Sequence, residues 1–123
     1  MSEKQYEVIV TPFAESALQD YYDHIRYESL DVQTADNWLD RMEQAIQELS
    51  ELPNRFSLVP REPWYSNGVR YYPFIGYNIY YWLNEERIKV YVIDVICQKM
   101  DQGKRLIESM LAYYKNNSES GAE

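Results

Sequence analysis

The spacing of apolar and polar positions changes character several times along this chain. Tyr6-Glu7-Val8-Ile9-Val10 mixes alternation with β-branched residues and predicts a first strand. Thr11-Pro12 then starts a helix, with Thr11 as N-cap and Pro12 at the first helical position. Ala14, Ala17, Leu18, Tyr21, Tyr22 and Ile25 form an apolar stripe at helical spacing, and the helix is predicted to stop between Tyr27 and Leu30. Asp31 caps a second helix whose apolar face is Ala35, Trp38, Leu39, Met42, Ala45, Ile46 and Leu49, ending before Pro53. Its opposite face is acidic, with Asp36, Asp40, Glu43 and Glu48.

After Pro53 the period shortens. Phe56-Ser57-Leu58-Val59 predicts a short strand bounded by Pro60 and Pro63, and Asn67-Gly68 signals a turn. Val69 to Ile75 is the next strand, with Pro73 marking an edge or a bulge. Gly76 breaks it, Tyr77 to Leu83 follows, and Asn84-Glu85-Glu86-Arg87 makes a hairpin turn. Ile88 to Ile96 is the last and most apolar strand, hence the central one. From Asp101 helical spacing resumes through Leu106, Ile107, Met110, Leu111 and Tyr114. Residues 116–123 are small and polar and are expected to be disordered. Consecutive strands joined by tight turns pair antiparallel. The expected fold is therefore α+β: two N-terminal helices packed on an antiparallel sheet of four to five strands, with a C-terminal helix, as one domain over residues 1–115.

Composition narrows the class. With 123 residues, 46% of them hydrophobic, the chain can build one core. It has no apolar run long enough to cross a membrane, no signal-peptide pattern at Met1-Ser2-Glu3-Lys4-Gln5, and a single cysteine, Cys97. A reducing, cytoplasmic location is expected. The net charge is −8 and unevenly spread. Residues 1–60 hold four Lys/Arg against twelve Asp/Glu, whereas residues 61–105 hold seven against five. An anion-binding surface therefore belongs to the second half, around Arg61, Arg70, Arg87, Lys89, Lys99, Lys104 and Arg105. The acidic first half argues against a broad grip on nucleic-acid backbone.

Candidate chemistry gathers where the last strand ends, in Val90-Tyr91-Val92-Ile93-Asp94-Val95-Ile96-Cys97-Gln98-Lys99-Met100-Asp101. Polar side chains at the end of a buried strand have a rigid support. Cys97, embedded among apolar residues, reads as a small hydrophobe, Met100 as core filler and Asp101 as a helix cap. His24 reads as solvent-facing on the first helix. Alternation places Tyr80 and Trp82 on one face of their strand and Tyr77, Ile79 and Tyr81 on the other. One histidine and one cysteine give no metal-ligand spacing, and there is no Gly-rich phosphate loop or nucleophile elbow, so no metal or cofactor is expected.

Several segments, in order, resemble the RelE/ParE toxins of bacterial toxin–antitoxin pairs over roughly residues 6 to 111. Val10-Thr11-Pro12 with Ala14 and Leu18 is similar to that family's strand-to-helix opening, and Ala45-Ile46 through Leu49 to Pro53 to its second helix and exit proline. Gly68-Val69-Arg70 resembles its Gly-x-Arg, and Tyr77, Ile79 and Tyr81 its Tyr-x-Ile-x-Tyr strand. The terminal run of ParE-type members often reads His-Gln-Arg-Met-Asp; this chain reads Cys-Gln-Lys-Met-Asp.

The resemblance implies a type II toxin neutralised by a cognate antitoxin in a hetero-oligomer. ParE-type members, including plasmid stabilisation proteins, poison DNA gyrase; RelE-type members cut messenger RNA in the ribosome. The wording favours the gyrase inhibitor, with a messenger RNA endonuclease as the alternative and a non-toxic antitoxin-binding co-repressor as a third reading. On the endonuclease reading the catalytic candidates are Arg70, Lys99 and Tyr81. Target contacts are expected from Arg70, Lys99, Met100, Asp101, Lys104 and Arg105, and partner contacts from Trp64, Tyr65, Tyr80 and Trp82. Lysine at position 99 keeps the charge of arginine but lacks its planar fork.

Overall fold

A computed structural model describes residues 5–120, with side chains through Leu111. The element order is β1 (Glu7–Val10), α1 (Pro12–Ser29), α2 (Val32–Gln47), β2 (Val69–Phe74), β3 (Tyr77–Asn84), β4 (Lys89–Cys97) and α3 (Gln102–Ser120). Thr11 caps α1 by accepting from the Ala14 amide, and Asp31 caps α2 by accepting from the Gln33 amide, as their sequence positions predict. The polar run 116–120, expected as part of a tail, is helical, since no breaker precedes Gly121; residues 121–123 and the side chain of Tyr114 lie outside the described part.

The four strands form one sheet in the order β1-β4-β3-β2. β4 is central, as its apolar run requires, and β2 with Pro73 is at an edge. The α+β architecture is the expected one, with two departures in the strands. β1 pairs parallel to β4, so the sheet is mixed rather than antiparallel throughout. A parallel partner is reached through a long crossover, which the intervening α1–α2 hairpin and the β2–β3 hairpin supply. Phe56 to Val59 is not a strand; its pairing reduces to one bridge between Leu58 and Arg70, flanked by amide bonds from Val59 to Val69 O and from Tyr71 to Ser57 O. The three prolines at 53, 60 and 63 limit how far such a ladder can extend.

The sheet is covered on both faces. On one side Ala14 and Leu18 of α1 and Met42, Ala45 and Ile46 of α2 pack on Ile79, Tyr81, Val90, Val92 and Val95. On the other, Leu106 of α3 and the loop residues Val59 and Trp64 pack on Val69, Tyr80, Ile93 and Ile96. β4 serves both by alternation, which slips once. Tyr80 opposes Asp94 and Tyr81 opposes Val92, which leaves Ile93 as the extra residue of a β-bulge. Past the bulge, Val95 rejoins Val90 and Val92 on the α1–α2 side, while Ile93 and Ile96 share the α3 side. The bulge also turns Asp94 toward α3.

Candidate functional site

The junction between β4 and α3 is built by side-chain amides. Asp101 accepts from the Lys104 amide at 3.1 Å and caps α3. Gln102 Nε2 donates to Cys97 O at 2.7 Å and to Met100 O at 2.9 Å, pinning the turn between strand and helix. Its Oε1 accepts from Tyr80 Oη at 2.8 Å and from Asn78 Nδ2 at 3.3 Å. Gln98 Nε2 donates to Asn78 Oδ1 at 3.0 Å, and the Gln98 amide to Gly76 O at 2.9 Å. Tyr21 of α1 closes the arrangement: its hydroxyl accepts from the Cys97 amide at 3.1 Å, and its ring meets Tyr77 edge-on at 5.0 Å. Burial raises the pKa of Tyr21, Tyr77 and Tyr80, so all three hydroxyls stay protonated at neutral pH.

Exposed cations stand in the turn and in the first turn of α3. Lys99 and Lys104 are exposed, and Met100 between them is 43% exposed, so it is a surface residue and not core filler. Its sulfur lies 3.3 Å from Tyr21 Oη. Arg61, from the loop before β2, lays its guanidinium against Gly103: a Cβ there would sit 2.8 Å from Arg61 Nη1. A third cation therefore lies against the first turn of α3, in the space that glycine at 103 leaves open.

Behind the cations lies a buried ion pair. Asp94 is fully buried, and its Oδ2 accepts from Arg105 Nε at 3.0 Å while its Oδ1 accepts from the Val95 amide at 2.8 Å. The Arg105 guanidinium also stacks over the Phe13 ring of α1, 4.8 Å from its centroid. Burial pushes the Asp94 carboxyl up to about 6, although Arg105 pulls in the opposite direction. Arg105, expected at a target contact, is thus spent in tying α3 to the sheet and to α1.

Other sequence candidates fall elsewhere. Tyr81 is fully buried, donates its hydroxyl to Pro53 O and has its pKa raised strongly by burial, which removes it as an acid–base group. Arg70 is half-buried and donates through Nη1 to Phe56 O at 2.6 Å and to Asn54 O at 3.3 Å. Trp64 and Tyr80, expected to meet a partner, are 3% and 4% exposed and belong to the core under α3. Tyr65 is exposed, and Trp82 is half-buried in a stack with Tyr91. Cys97 is half-buried and His24 exposed. Sequence reasoning did not single out Asn78, Gln98, Gln102 or Tyr21. Isolated amides carry no periodic signal, and Tyr21 sits on an apolar stripe that already explained it. Among the described residues no group of three His, Cys, Asp or Glu is placed to hold a metal, and no helix is long and apolar enough to cross a membrane.

Residues 8–102 match the family model described as the ParE toxin of the type II toxin–antitoxin system parDE. The chain belongs to the ParE toxin family. A chromosomal ParDE toxin–antitoxin system from P. aeruginosa contains a chain of the same fold, at TM-score 0.61 and 15% identity, covering 76% of this chain and 97% of that one. The RelBE2 toxin–antitoxin complex from Mycobacterium tuberculosis contains another, at TM-score 0.53 and 21% identity, covering 78% of this chain and 97% of that one. No curated protein sequence matches. This ParE-family protein is the toxin component of a type II toxin–antitoxin module.

Proposed function

We propose that the toxin acts by binding, as an inhibitor of DNA gyrase, through the surface formed by Lys99, Met100, Lys104 and Arg61 at the β4–α3 junction. One observation supports binding over cleavage. Two of the groups that RNA cleavage would call on, Arg70 and Tyr81, are engaged with main-chain carbonyls of the 53–56 segment. Such cleavage needs a base to take the proton of the attacking 2′-hydroxyl and an acid to protonate the leaving oxygen, both within reach of the scissile bond; Tyr81 is held protonated inside the core. A protein contact needs less: exposed cations for orientation and an apolar anchor on a rigid base. Lys99, Met100 and Lys104 are all exposed, and Gln102 ties the backbone of this turn at Cys97 O and Met100 O. The antitoxin is the natural second partner, and of the aromatics expected to meet it Tyr65 is exposed and Trp82 half-buried.

The reading is tested by inducing the chain in bacteria and assaying purified gyrase beside it. Growth arrest with a DNA-damage response and accumulated cleaved DNA–gyrase complexes is expected. Lys99→Glu with Lys104→Glu should relieve both while leaving the folded circular dichroism spectrum intact. Ribosome-dependent messenger RNA cuts with gyrase unaffected would overturn the proposal in favour of the endonuclease reading.

A further inference from the structure

The tip of the helical hairpin, where α1 meets α2, carries a feature that the β4–α3 junction does not use. Leu30 is 89% exposed and Tyr27 81%, and Val32 beside them is half exposed. Together with Asp23, Arg26 and Asp31 they line an open cavity of about 470 Å³. Clustered bulky apolar side chains with this much exposure mark contact surfaces far more often than scattered ones do.

Leu30 is held there against its backbone preference. It closes α1 in the left-handed conformation, φ 54°, with its amide bonded to Arg26 O at 3.1 Å. That is the position where glycine or asparagine is normally found, since a Cβ is strained there. Leu52, Ile75 and Ile88 share the positive φ, but each is at least half covered by the fold. At position 30 the side chain gains nearly nothing from its own chain. The tip around it is nevertheless fixed: Ser29 Oγ bonds the Asp31 amide, Asp31 caps α2 and holds Thr34 Oγ1, and Tyr22 Oη donates to Asp36 at 2.6 Å. A docking surface so ordered costs little further entropy on binding.

Charge selects the occupant. Residues 12–47 carry eight Asp/Glu against two Arg, and Asp23 and Asp31, against Arg26 alone, line the cavity at the apolar tip. A second copy would bring the same acidic rim against it, at a net charge of −8 per chain. We infer that the α1–α2 tip is a docking site for a lysine- or arginine-rich amphipathic segment of a protein partner, whose apolar anchor enters between Tyr27, Leu30 and Val32 while its cations meet the acidic rim. The site is separate from the junction and stands whichever target the toxin acts on.

Fluorescence anisotropy with the full chain tests it, using a labelled two-heptad helical peptide of leucine and lysine and its leucine–glutamate counterpart. The lysine peptide should bind and the glutamate peptide should not. Binding should weaken steeply between about 0.05 M and about 0.5 M salt as screening shortens the reach of the rim. Tyr27→Gln with Leu30→Asn removes both anchors without changing charge and relieves the backbone at position 30. This pair should weaken binding about tenfold or more, the loss expected when a buried leucine-sized contact is removed. Asp23→Asn with Asp31→Asn, which preserves the cap, should flatten the salt dependence. Unchanged affinity in the Tyr27/Leu30 variant, with an unaltered circular dichroism spectrum, would overturn the inference. So would concentration-dependent self-association of the parent chain that the same variant abolishes, since the tip would then seat a second copy.

Discussion

Asp94 should make the stability of this toxin rise on mild acidification. Its carboxyl is fully buried, and its pKa stands at about 6 against an ordinary 3.8. A group whose folded-state pKa is raised contributes stability that is complete below the unfolded value and lost as pH climbs through the folded one. The shift corresponds to about 3 kcal/mol in all. Of this, about 2 kcal/mol falls between about pH 4.5 and pH 7, the remainder appearing below about pH 4.5. Asp94→Asn removes the titration. The neutral carboxyl that Asp94 carries at low pH still turns oxygens toward both the Val95 amide and Arg105 Nε, whereas asparagine puts an NH2 donor against one of them, so the variant should be less stable at low pH by about 1–3 kcal/mol. That deficit should shrink, or reverse, by about 2 kcal/mol on going to pH 7. Urea unfolding of both proteins at about pH 4.5, 5.5 and 7 gives the difference directly, and shared titrations cancel in it. A gap that does not change with pH would refute the reasoning, because it would mean that Asp94 ionises in the fold as easily as in water.

Removing the other partner has the opposite signature: Arg105→Leu should cost about 3–5 kcal/mol at pH 7 and visibly less near pH 5, where Asp94 takes up a proton, by the same unfolding assay. Tyr81→Phe should lower stability by about 1–2 kcal/mol through the lost bond to Pro53 O, yet leave growth arrest intact; loss of arrest with a folded protein would return Tyr81 to the list of functional groups. Trp64→Ala should cost about 3–5 kcal/mol, since its ring is a buried part of the core under α3, and a thermal melt unchanged by the substitution would place the ring at the surface after all.

Much of the fold was legible because it follows from period. The stripes on α1 and α2, the caps at Thr11 and Asp31, the edge position of β2 and the centrality of β4 all rest on side-chain spacing or on proline and glycine chemistry, which are local. What local pattern does not carry is partner choice between distant segments. The direction of β1 is set by the path the chain takes through two helices and a hairpin, and nothing in Glu7 to Val10 distinguishes a parallel neighbour from an antiparallel one. The segment 56–59 has strand-like residues but lacks room for a ladder between its prolines.

The site was harder to read for a related reason, and one residue explains most of it. Strict alternation through Val90 to Ile96 puts Asp94 on the same face as Val92, facing the α1–α2 core. An unpaired carboxylate there would be untenable. Ile93 resolves the conflict by dropping out of register opposite Tyr80 and Tyr81, which brings Asp94 round to Arg105 of α3. Once Arg105 is committed to Asp94, it leaves the exposed cation cluster to Lys99, Lys104 and Arg61. Arg61 lays its guanidinium where a Cβ on residue 103 would push it aside. A charged residue inside the most apolar strand was the available signal: an aspartate at such a position demands a cation from another element, and Arg105, on the helix that follows, was among the arginines to test first.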